Sequence, residues 1–487
     1  MQSIFRKRNA DVEQLFESAG RAEKVMCVAF DYAKKTHTCV IGDGNGRQIK
    51  GTFNVQNNRA GVDYLLSIIA GLCRKHHIRA EHVFFGGEDG GSYAFNFIHA
   101  LVSRGYLVVG FNARQAKHER ENTLASSDLI DVVGVIGMMI KMRGRTIGEA
   151  SGQVHAIKRL RRQRISMLRS HSASKHRLYR IVDELLPGFL NADLSGIIPF
   201  TNASLWLMDD DFCAASILSR RRPALTKRLR EMRLQDPEGA VEKLKALAGN
   251  ALLPAPALVP ALQRSLHEET ALYRHLESAL HGLDTDIAKL LARTPGAMLT
   301  TIPGISLRWA PGLFAELGDP LRRRNVNSMA ALGGIVPSSK QTGGPEKAPV
   351  SGHRSRNCAS ILKHHLMSAT TSLAECGHPE IRQAYQNDQA MGRDARGRLA
   401  QSLLRTCLCL IDTQGFYLPP SLHRGSSPEQ IRQYYVKTWP KVLIKWRDYG
   451  AITEALAEGS PLRIWRDMAQ ELYDIKLDLK SPQTGRK

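Results

Sequence analysis

The sequence predicts an α/β amino-terminal region followed by mainly helical regions. From Val25 to about Val135, short apolar runs alternate with segments whose apolar residues have helical spacing. Between Ala150 and Arg293 the chain carries long helical stretches with dense positive charge, and the regions beyond are also mainly helical. At 487 residues it exceeds what one hydrophobic core normally supports, so we expect several domains.

Three strands open the α/β region. Val25–Asp31 and Thr36–Asp43 are joined by a polar turn, and Arg47–Gln56 follows the turn signal Gly44-Asn45-Gly46. The segment Asn58–His77 has the apolar spacing of a helix. The remaining elements are predicted in the order strand Val83–Glu88, helix Tyr93–Arg104, strand Leu107–Phe111 and a helix from Ser127. This order of elements is that of an RNase H-like fold.

Four carboxylates stand where a metal site for nucleic-acid cleavage would need them. Asp31 and Glu88 close two apolar strands, and Asp128 and Asp131 are three residues apart on one helix face. Such clustered oxygens suit Mg²⁺ or Mn²⁺, which can activate the attacking oxygen in phosphoryl transfer. Each acid alone is more often a strand-ending or helix-capping residue. The four together favour a metal site.

The charge predicts a polyanionic partner. The 68 Lys and Arg residues exceed the 46 Asp and Glu residues by 22, which makes nucleic acid the expected partner. Backbone amides at the Pro-Gly turn of Gly304 can hold a phosphate. The other predicted phosphate contacts are Arg114, Lys117, Arg120, Lys158, Arg159, Arg161, Arg162 and Arg164. The alternative for each of them is an ordinary solvated surface or turn.

Cysteine spacing and the amino terminus predict a cytoplasmic protein. The eight cysteines show neither paired CxxC spacing nor the framework of a small secreted domain. The first residues lack the apolar stretch of a signal peptide, and no run approaches membrane-spanning length. We therefore expect reduced thiols and no membrane partner.

Several motifs in order resemble the DEDD-type insertion-sequence transposases, the group that includes Piv-type DNA invertases and bridge-RNA-guided recombinases. That family has a RuvC-like amino-terminal domain with an acid ending strand one, Glu-Ala-Thr-Gly-x-Tyr, Asn-Pro and Lys-Thr-Asp-x-x-Asp-Ala. The matching residues here are Phe30-Asp31, Glu88-Asp89-Gly90-Gly91-Ser92-Tyr93, Asn112-Ala113 and Ser126-Ser127-Asp128-Leu129-Ile130-Asp131-Val132. In the second half they are Ile302-Pro303-Gly304-Ile305, Glu316-Leu317-Gly318-Asp319 and Gly334-Ile335-Val336-Pro337 leading to Thr342-Gly343.

The resemblance implies a DNA transposase or recombinase that excises and integrates, or inverts, a mobile element by metal-dependent strand cleavage and exchange. It implies that Asp31, Glu88, Asp128 and Asp131 hold Mg²⁺ or Mn²⁺. Thr342 aligns with the family's nucleophilic Ser, and Ser338, Ser339 and Ser351 are alternatives. The implied partners are DNA, a structured guide RNA and further copies of the chain in an oligomer on DNA. No residue pattern in the sequence itself indicates RNA guidance.

The resemblance, together with the composition, implies five segments. They are an amino-terminal extension (1–23), a RuvC-like DEDD catalytic domain (24–148), a basic, coiled-coil-like helical arm (149–295), a mainly helical transposase domain with a helix-hairpin-helix-like turn (296–375) and a helical extension (376–487).

Three other functions are compatible with parts of the pattern. A Holliday-junction-type metal-dependent nuclease would use the same acids with water as the nucleophile, but has no need of the Thr342-Gly343 loop. A nucleotide-binding protein of the actin and sugar-kinase type would need phosphate-binding glycine loops in both halves. A catalytically degenerate transposase relative would bind nucleic acid without cleaving it, and only an activity measurement separates it from the enzyme.

Overall fold

The computed structural model describes residues 8–88, 92–111, 128–147, 152–209, 211–318, 326–335, 337–338, 350–351, 358–423 and 425–477. Packing divides the chain into two compact units. The first unit comprises Met1–His155, Leu313–Met367 and Asp394–Leu408. The second unit comprises Ala156–Gly312, Ser368–Arg393 and Cys409–Lys487. The boundaries of the five segments stay predictions.

A mixed six-stranded sheet is the centre of the first unit. Its strands are β1 (Met26–Asp31), β2 (Thr36–Asp43), β3 (Gln48–Gln56), β4 (Val83–Glu88), β5 (Leu107–Phe111) and β6 (Arg145–Ile147). They lie in the order β3-β2-β1-β4-β5-β6. β1 pairs antiparallel with β2 and parallel with β4, β5 is parallel to β4, and β6 is antiparallel to β5. The five predicted strands are confirmed within one residue, whereas β6 is too short for a residue pattern to indicate it.

Helices cover both faces of this sheet. They are α1 (Ala10–Ala19), α2 (Arg59–His76), α3 (Phe95–Val102) and α4 (Asp128–Ile140). Successive side chains of a strand point to opposite faces, so Met26, Val28 and Phe30 of β1 pack with α2 and α3. Cys27 and Ala29 pack with α1 and α4 on the other face. The predicted α/β architecture of this region is confirmed, with one core on each side of the sheet.

Two long helices dominate the middle of the chain, α5 (Gly152–Leu185) and α11 (Val259–Ala292). Each has 34 residues, which corresponds to a length of about 51 Å. Within the second unit they run antiparallel, because Arg164 of α5 pairs with Asp284 of α11 and Arg177 pairs with Glu269. The helical character predicted for this region is therefore confirmed.

Five shorter helices lie between these two in the chain. They are α6 (Ala192–Ser195), α7 (Asn202–Leu207), α8 (Ala214–Ser219), α9 (Arg222–Glu231) and α10 (Pro237–Asn250). Together with the facing parts of α5 and α11 they enclose a hydrophobic core that includes Phe189, Phe212 and Leu244. This region is therefore a packed helical subdomain and not only a pair of long helices.

The carboxyl-terminal part of the chain is also helical. Its helices are α12 (Ala310–Leu317), α13 (Val326–Leu332), α14 (Cys358–Cys376), α15 (Pro379–Ala390), α16 (Ala395–Thr413), α17 (Pro428–Asp448), α18 (Ile452–Ala455) and α19 (Pro461–Tyr473). A two-residue strand pair, β7 (Pro337–Ser338) and β8 (Val350–Ser351), is antiparallel. Trp439, Trp446 and Trp465 are buried among the helices of the tail. Within the described residues, no helix has both the length and the apolar character that crossing a membrane requires.

Candidate active site

Two of the four predicted metal-binding acids lie side by side. Asp31 is the last residue of β1 and Glu88 the last residue of β4, and the two are direct partners in the parallel register. Neighbouring strands are about 4.8 Å apart and paired residues share a face of the sheet. Both side chains are partly exposed. The carboxyl ends of the two strands therefore bring two carboxylates together at one edge of the sheet.

The face that carries these acids is the one covered by α4. Asp31 follows Cys27 and Ala29 at intervals of two, and both of those residues pack with Val132, Val135 and other residues of α4. In the same way Glu88 follows Phe84, which belongs to that core. Asp31 and Glu88 thus lie on the α4 side of the sheet.

The contacts of α4 give its direction along β1. A β-carbon on Gly42 would lie 3.3 Å from Ile136 Cδ1, and one on Gly46 would lie 3.0 Å from Ile140 Cδ1. Gly42 pairs with the second residue of β1, so the end of α4 lies where β1 begins. A helix rises 1.5 Å per residue. Its first turn, which starts at Asp128, is therefore directed toward the carboxyl end of β1.

Asp128 and Asp131 lie in this first turn of α4. Their side chains are outside the described part of the structure, so the convergence of all four acids stays a prediction. Among the side chains that the structure does describe, no group of three or more His, Cys, Asp and Glu residues is placed to hold a metal ion.

Two adjacent glycines allow the close packing beneath the acids. A β-carbon on Gly86 would lie 2.6 Å from a ring carbon of Phe111 and 2.8 Å from Met139 Sδ of α4. On the opposite face, a β-carbon on Gly87 would lie 2.1 Å from the ring of Tyr32. One glycine lets α4 approach β4, and the other makes room for the tyrosine that follows Asp31.

The turn after Asp31 is held by a buried histidine that the residue patterns did not single out. His37 is fully buried, and its Nδ1 accepts a hydrogen bond of 3.2 Å from the Ala33 amide. Its ring centroid lies 5.2 Å from that of Tyr32 and 4.6 Å from that of Phe97. Burial lowers the pKa of His37, so the ring is neutral at pH 7. His37 alternates with the apolar residues Cys39 and Ile41 on one face of β2, and this alternation is the local signal of its burial.

The basic residues from Lys158 to Arg164, near the start of α5, lie in two different environments. Arg159 and Arg162 are exposed, and Lys158 is partly buried. Arg161 has only 7% of its surface exposed, and Arg164 donates a bidentate hydrogen-bond pair to Asp284. Three residues of the run thus keep solvent access for a phosphate, while Arg161 and Arg164 face the interior of the second unit.

The backbone conformation and the close packing of the Pro-Gly turn require glycine at position 304. Gly304 has φ +89°, and a β-carbon there would lie 3.1 Å from the Ser372 carbonyl oxygen. The Gly304 carbonyl accepts a hydrogen bond of 2.7 Å from Ser372 Oγ. The helix that follows this turn is α12. Phosphate binding by the turn stays a prediction.

A lysine of α17 binds backbone carbonyl groups of the same turn. Lys445 Nζ donates hydrogen bonds to the carbonyl oxygens of Thr300 at 2.5 Å, Ile302 at 3.2 Å and Ile305 at 2.6 Å. Next to it, Trp446 Nε1 donates to Thr300 Oγ1 at 3.0 Å. Burial lowers the pKa of Lys445 to about 7. Sequence reasoning missed this lysine because its partners are 140 to 145 residues away.

The remaining predicted residues are three basic residues and the candidate nucleophiles. Arg114, Lys117, Arg120, Ser339 and Thr342 lie outside the described residues. Ser338 and Ser351 lie in the strand pair β7 and β8, where Ser351 is the register partner of Pro337. Their side chains are also outside the described part, so the nucleophile stays a prediction.

Comparison with known families identifies both halves of the chain. Residues 28–187 match a transposase family model, that of the DEDD transposases of IS110 elements. Residues 296–386 match the model described as transposase IS116/IS110/IS902 family. No curated protein matches the chain. The two models cover just over half of the chain, in the order that the motifs predicted, and the chain therefore belongs to the IS110 family of DEDD transposases.

Proposed function

We propose that this DNA transposase cleaves and exchanges DNA strands at a divalent-metal centre formed by Asp31, Glu88, Asp128 and Asp131. The observation that carries the proposal is the register pairing of Asp31 with Glu88 at the carboxyl ends of β1 and β4. The strand order and the α4 helix on that face support an RNase H-like, RuvC-like interpretation of the first unit.

The donor set suits Mg²⁺ or Mn²⁺. Both ions prefer carboxylate and water oxygens, and two carboxylates on neighbouring strand ends leave coordination positions for water and phosphate. Asp128 and Asp131, in the first turn of α4, would complete the set of acids. When bound, a divalent cation would polarise phosphate oxygens and make an attacking hydroxyl more acidic.

The other residues around the acids orient them. Asp31 and Glu88 are held by the ladder of β1 and β4, and the absence of a side chain at Gly86 lets α4 lie close to that ladder. His37 fixes the turn after Asp31 while adding no positive charge, because its burial keeps the ring neutral. Rigid carboxylates lose little entropy when a cation and a phosphate are bound.

Thr342 is the proposed nucleophile for strand exchange. Attack by its hydroxyl oxygen on a DNA phosphorus would join the protein to one strand and release the deoxyribose oxygen. The support is the position of Thr342 after the Gly334-Ile335-Val336-Pro337 stretch, where related transposases have their serine. The extra methyl group of threonine restricts the rotamers of this hydroxyl.

The nucleic-acid contacts in this proposal come from basic residues that face solvent. Arg159 and Arg162 are exposed on α5, and the net charge of +22 favours binding to a polyanion. The resemblance to bridge-RNA-guided recombinases supports a structured guide RNA and a homo-oligomer as further partners. Excision with integration, or inversion, would be the outcome for the mobile element.

Substitution of the strand-end acids tests the metal centre. Asp31→Asn and Glu88→Gln should each abolish Mg²⁺-dependent cleavage of DNA that carries the ends of the element. Each should also weaken Mn²⁺ binding, measured by calorimetry, by more than about tenfold. The control is Asp63→Asn, which removes an exposed acid of α2 that pairs with Arg104 at 3.6 Å. If Asp31→Asn still cleaves like the unchanged protein, the assignment of the site is wrong.

A trapping experiment tests the hydroxyl and separates a recombinase from a junction nuclease. Thr342→Ala should abolish any covalent protein–DNA adduct on denaturing gels while DNA binding persists. Thr342→Ser should keep or raise adduct formation, because it relieves the rotamer restriction. An adduct that persists in Thr342→Ala would move the assignment to Ser338, Ser339 or Ser351. Cleavage without any adduct would favour the nuclease.

A further inference from the structure

An open pocket of about 460 Å³ lies in the helical subdomain of the second unit. It is lined by Trp206 of α7, by the Arg220-Arg221 loop between α8 and α9, and by Leu225 and Arg228 of α9. The whole pocket falls between residues 188 and 295, which neither family model matches. We refer to it as the Trp206 pocket.

Two guanidinium groups lie over the flat indole ring of Trp206. Cζ of Arg220 lies 5.4 Å from the ring centroid, and Cζ of Arg228 lies 5.8 Å from it. Trp206 is partly exposed, while Arg221 and Arg228 are exposed. Both an indole and a guanidinium plane can stack on a nucleobase, and the guanidinium groups also bind phosphate oxygens.

The residues that line and flank the pocket carry a net positive charge. The acid in its lining, Asp209, is neutralised by Arg274, whose Nη1 lies 2.9 Å from each carboxylate oxygen. From Arg220 to Arg233 the chain contains seven basic residues and one acid, Glu231. Glu231 accepts a hydrogen bond of 2.8 Å from Arg228 at an exposed position, where solvent weakens the pairing. The pocket is therefore electrostatically suited to an anionic ligand.

The loop that presents the arginines is tied to the subdomain. Lys245 Nζ of α10 donates hydrogen bonds to the carbonyl oxygen of Leu218 at 2.7 Å and to that of Arg220 at 2.5 Å. The floor beside Trp206 is formed by Leu225, which is buried in the hydrophobic core. The arginines thus stand on a packed scaffold, which reduces the entropy lost when a ligand is bound.

We propose that the Trp206 pocket binds a nucleotide of single-stranded nucleic acid. The base stacks against Trp206 and the neighbouring guanidinium planes, and the flanking phosphates pair with Arg220, Arg221 and Arg228. A base inside a duplex has both faces covered by its neighbours, so only an unpaired base can enter. Such binding goes beyond strand cleavage, because it would hold a displaced DNA strand or an unpaired segment of RNA.

Binding of the full-length protein to fluorescent oligonucleotides in metal-free buffer tests this proposal. Leaving out the metal makes the result independent of the cleavage site. The probes are a 20-residue oligo-dT, an oligo-rU of the same length and a duplex. Trp206→Leu should weaken single-strand binding by about 5- to 100-fold, as loss of a stacking aromatic does, and leave duplex binding within about twofold. Trp206→Phe should recover most of the loss.

A matched pair of charge changes controls for general electrostatics and for folding. Arg221→Gln and Arg230→Gln each remove one exposed positive charge, but Arg230 pairs with Glu238 and does not line the pocket. Arg221→Gln should weaken single-strand binding several-fold more than Arg230→Gln. Equal effects of the two changes, or single-strand binding that is unaffected by Trp206→Leu, would overturn the proposal. Tighter binding of either oligo-dT or oligo-rU would support it and identify the preferred strand.

Discussion

Single glycines determine how closely the strands and helices around the acids can approach one another. Gly86 faces Phe111 and Met139, both of which are buried, and Gly87 faces the ring of Tyr32. The adjacent pair therefore serves opposite faces of β4, as the alternation of a strand requires. The sequence alone predicts only that Gly86 and Gly87 lie in the strand Val83–Glu88, because a glycine does not indicate which neighbour its missing side chain makes room for.

At the residue scale, we predict that Gly86→Ala and Gly137→Ala change stability in opposite directions. The new methyl group at position 86 would overlap Phe111 and Met139 and should lower the free energy of unfolding by about 1–3 kcal/mol. A β-carbon on Gly137 of α4 would meet nothing within 4 Å. Alanine there should raise the free energy of unfolding by about 0.5–1 kcal/mol through helix propensity. Urea unfolding followed by circular dichroism measures both, and equal effects would contradict the packing argument.

Elements far apart in the chain are joined at the Pro-Gly turn. The turn at Gly304 is held by α17 through Lys445 and by α14 through Ser372. The ammonium group of a lysine has three donors, which matches the three carbonyl acceptors around Nζ. The helical tail is therefore part of the structure that shapes the predicted phosphate-binding turn.

At the element scale, Lys445 should make stability depend on pH. Unfolded lysine keeps its proton up to its ordinary pKa of 10.5, whereas burial lowers the pKa of Lys445 to about 7. Between these values the unfolded state binds more protons, so the free energy of unfolding should rise as pH increases from about 7 to 10. The contribution is at most roughly 1.4 kcal/mol per pH unit.

Urea unfolding at several pH values, followed by tryptophan fluorescence, measures this dependence. Lys445→Met should remove the Lys445 part of the slope, while Lys441→Met, which changes an exposed lysine of the same helix, should keep it. A Lys445→Met variant with an unchanged slope would show that Lys445 does not titrate in this range.

The charge of the whole molecule determines how its binding to nucleic acid responds to salt. With a net charge of +22, many phosphates are neutralised and their counterions released. We predict that affinity for DNA falls by at least about 100-fold between 50 and 200 mM salt. Changing Arg159 and Arg162 together to Gln should reduce the slope of log affinity against log salt by about two units. Arg180→Gln, an exposed arginine that pairs with Glu184, is the control. Fluorescence anisotropy gives these slopes, and a nearly salt-independent affinity would contradict the proposal.

The sequence by itself determined the order of strands and helices in the first unit, the position of Asp31 and Glu88 at strand ends, and the family. These features depend on residues close together in the chain, where apolar periodicity and short motifs carry the information. Only the tertiary structure decided that Asp31 and Glu88 are register partners, that Arg161 and Arg164 turn inward, and that the central helices enclose a core. The same holds for the Trp206 pocket, whose residues come from separate helices and a loop. Pairing and burial result from contacts between distant segments, and local composition does not encode which segments meet.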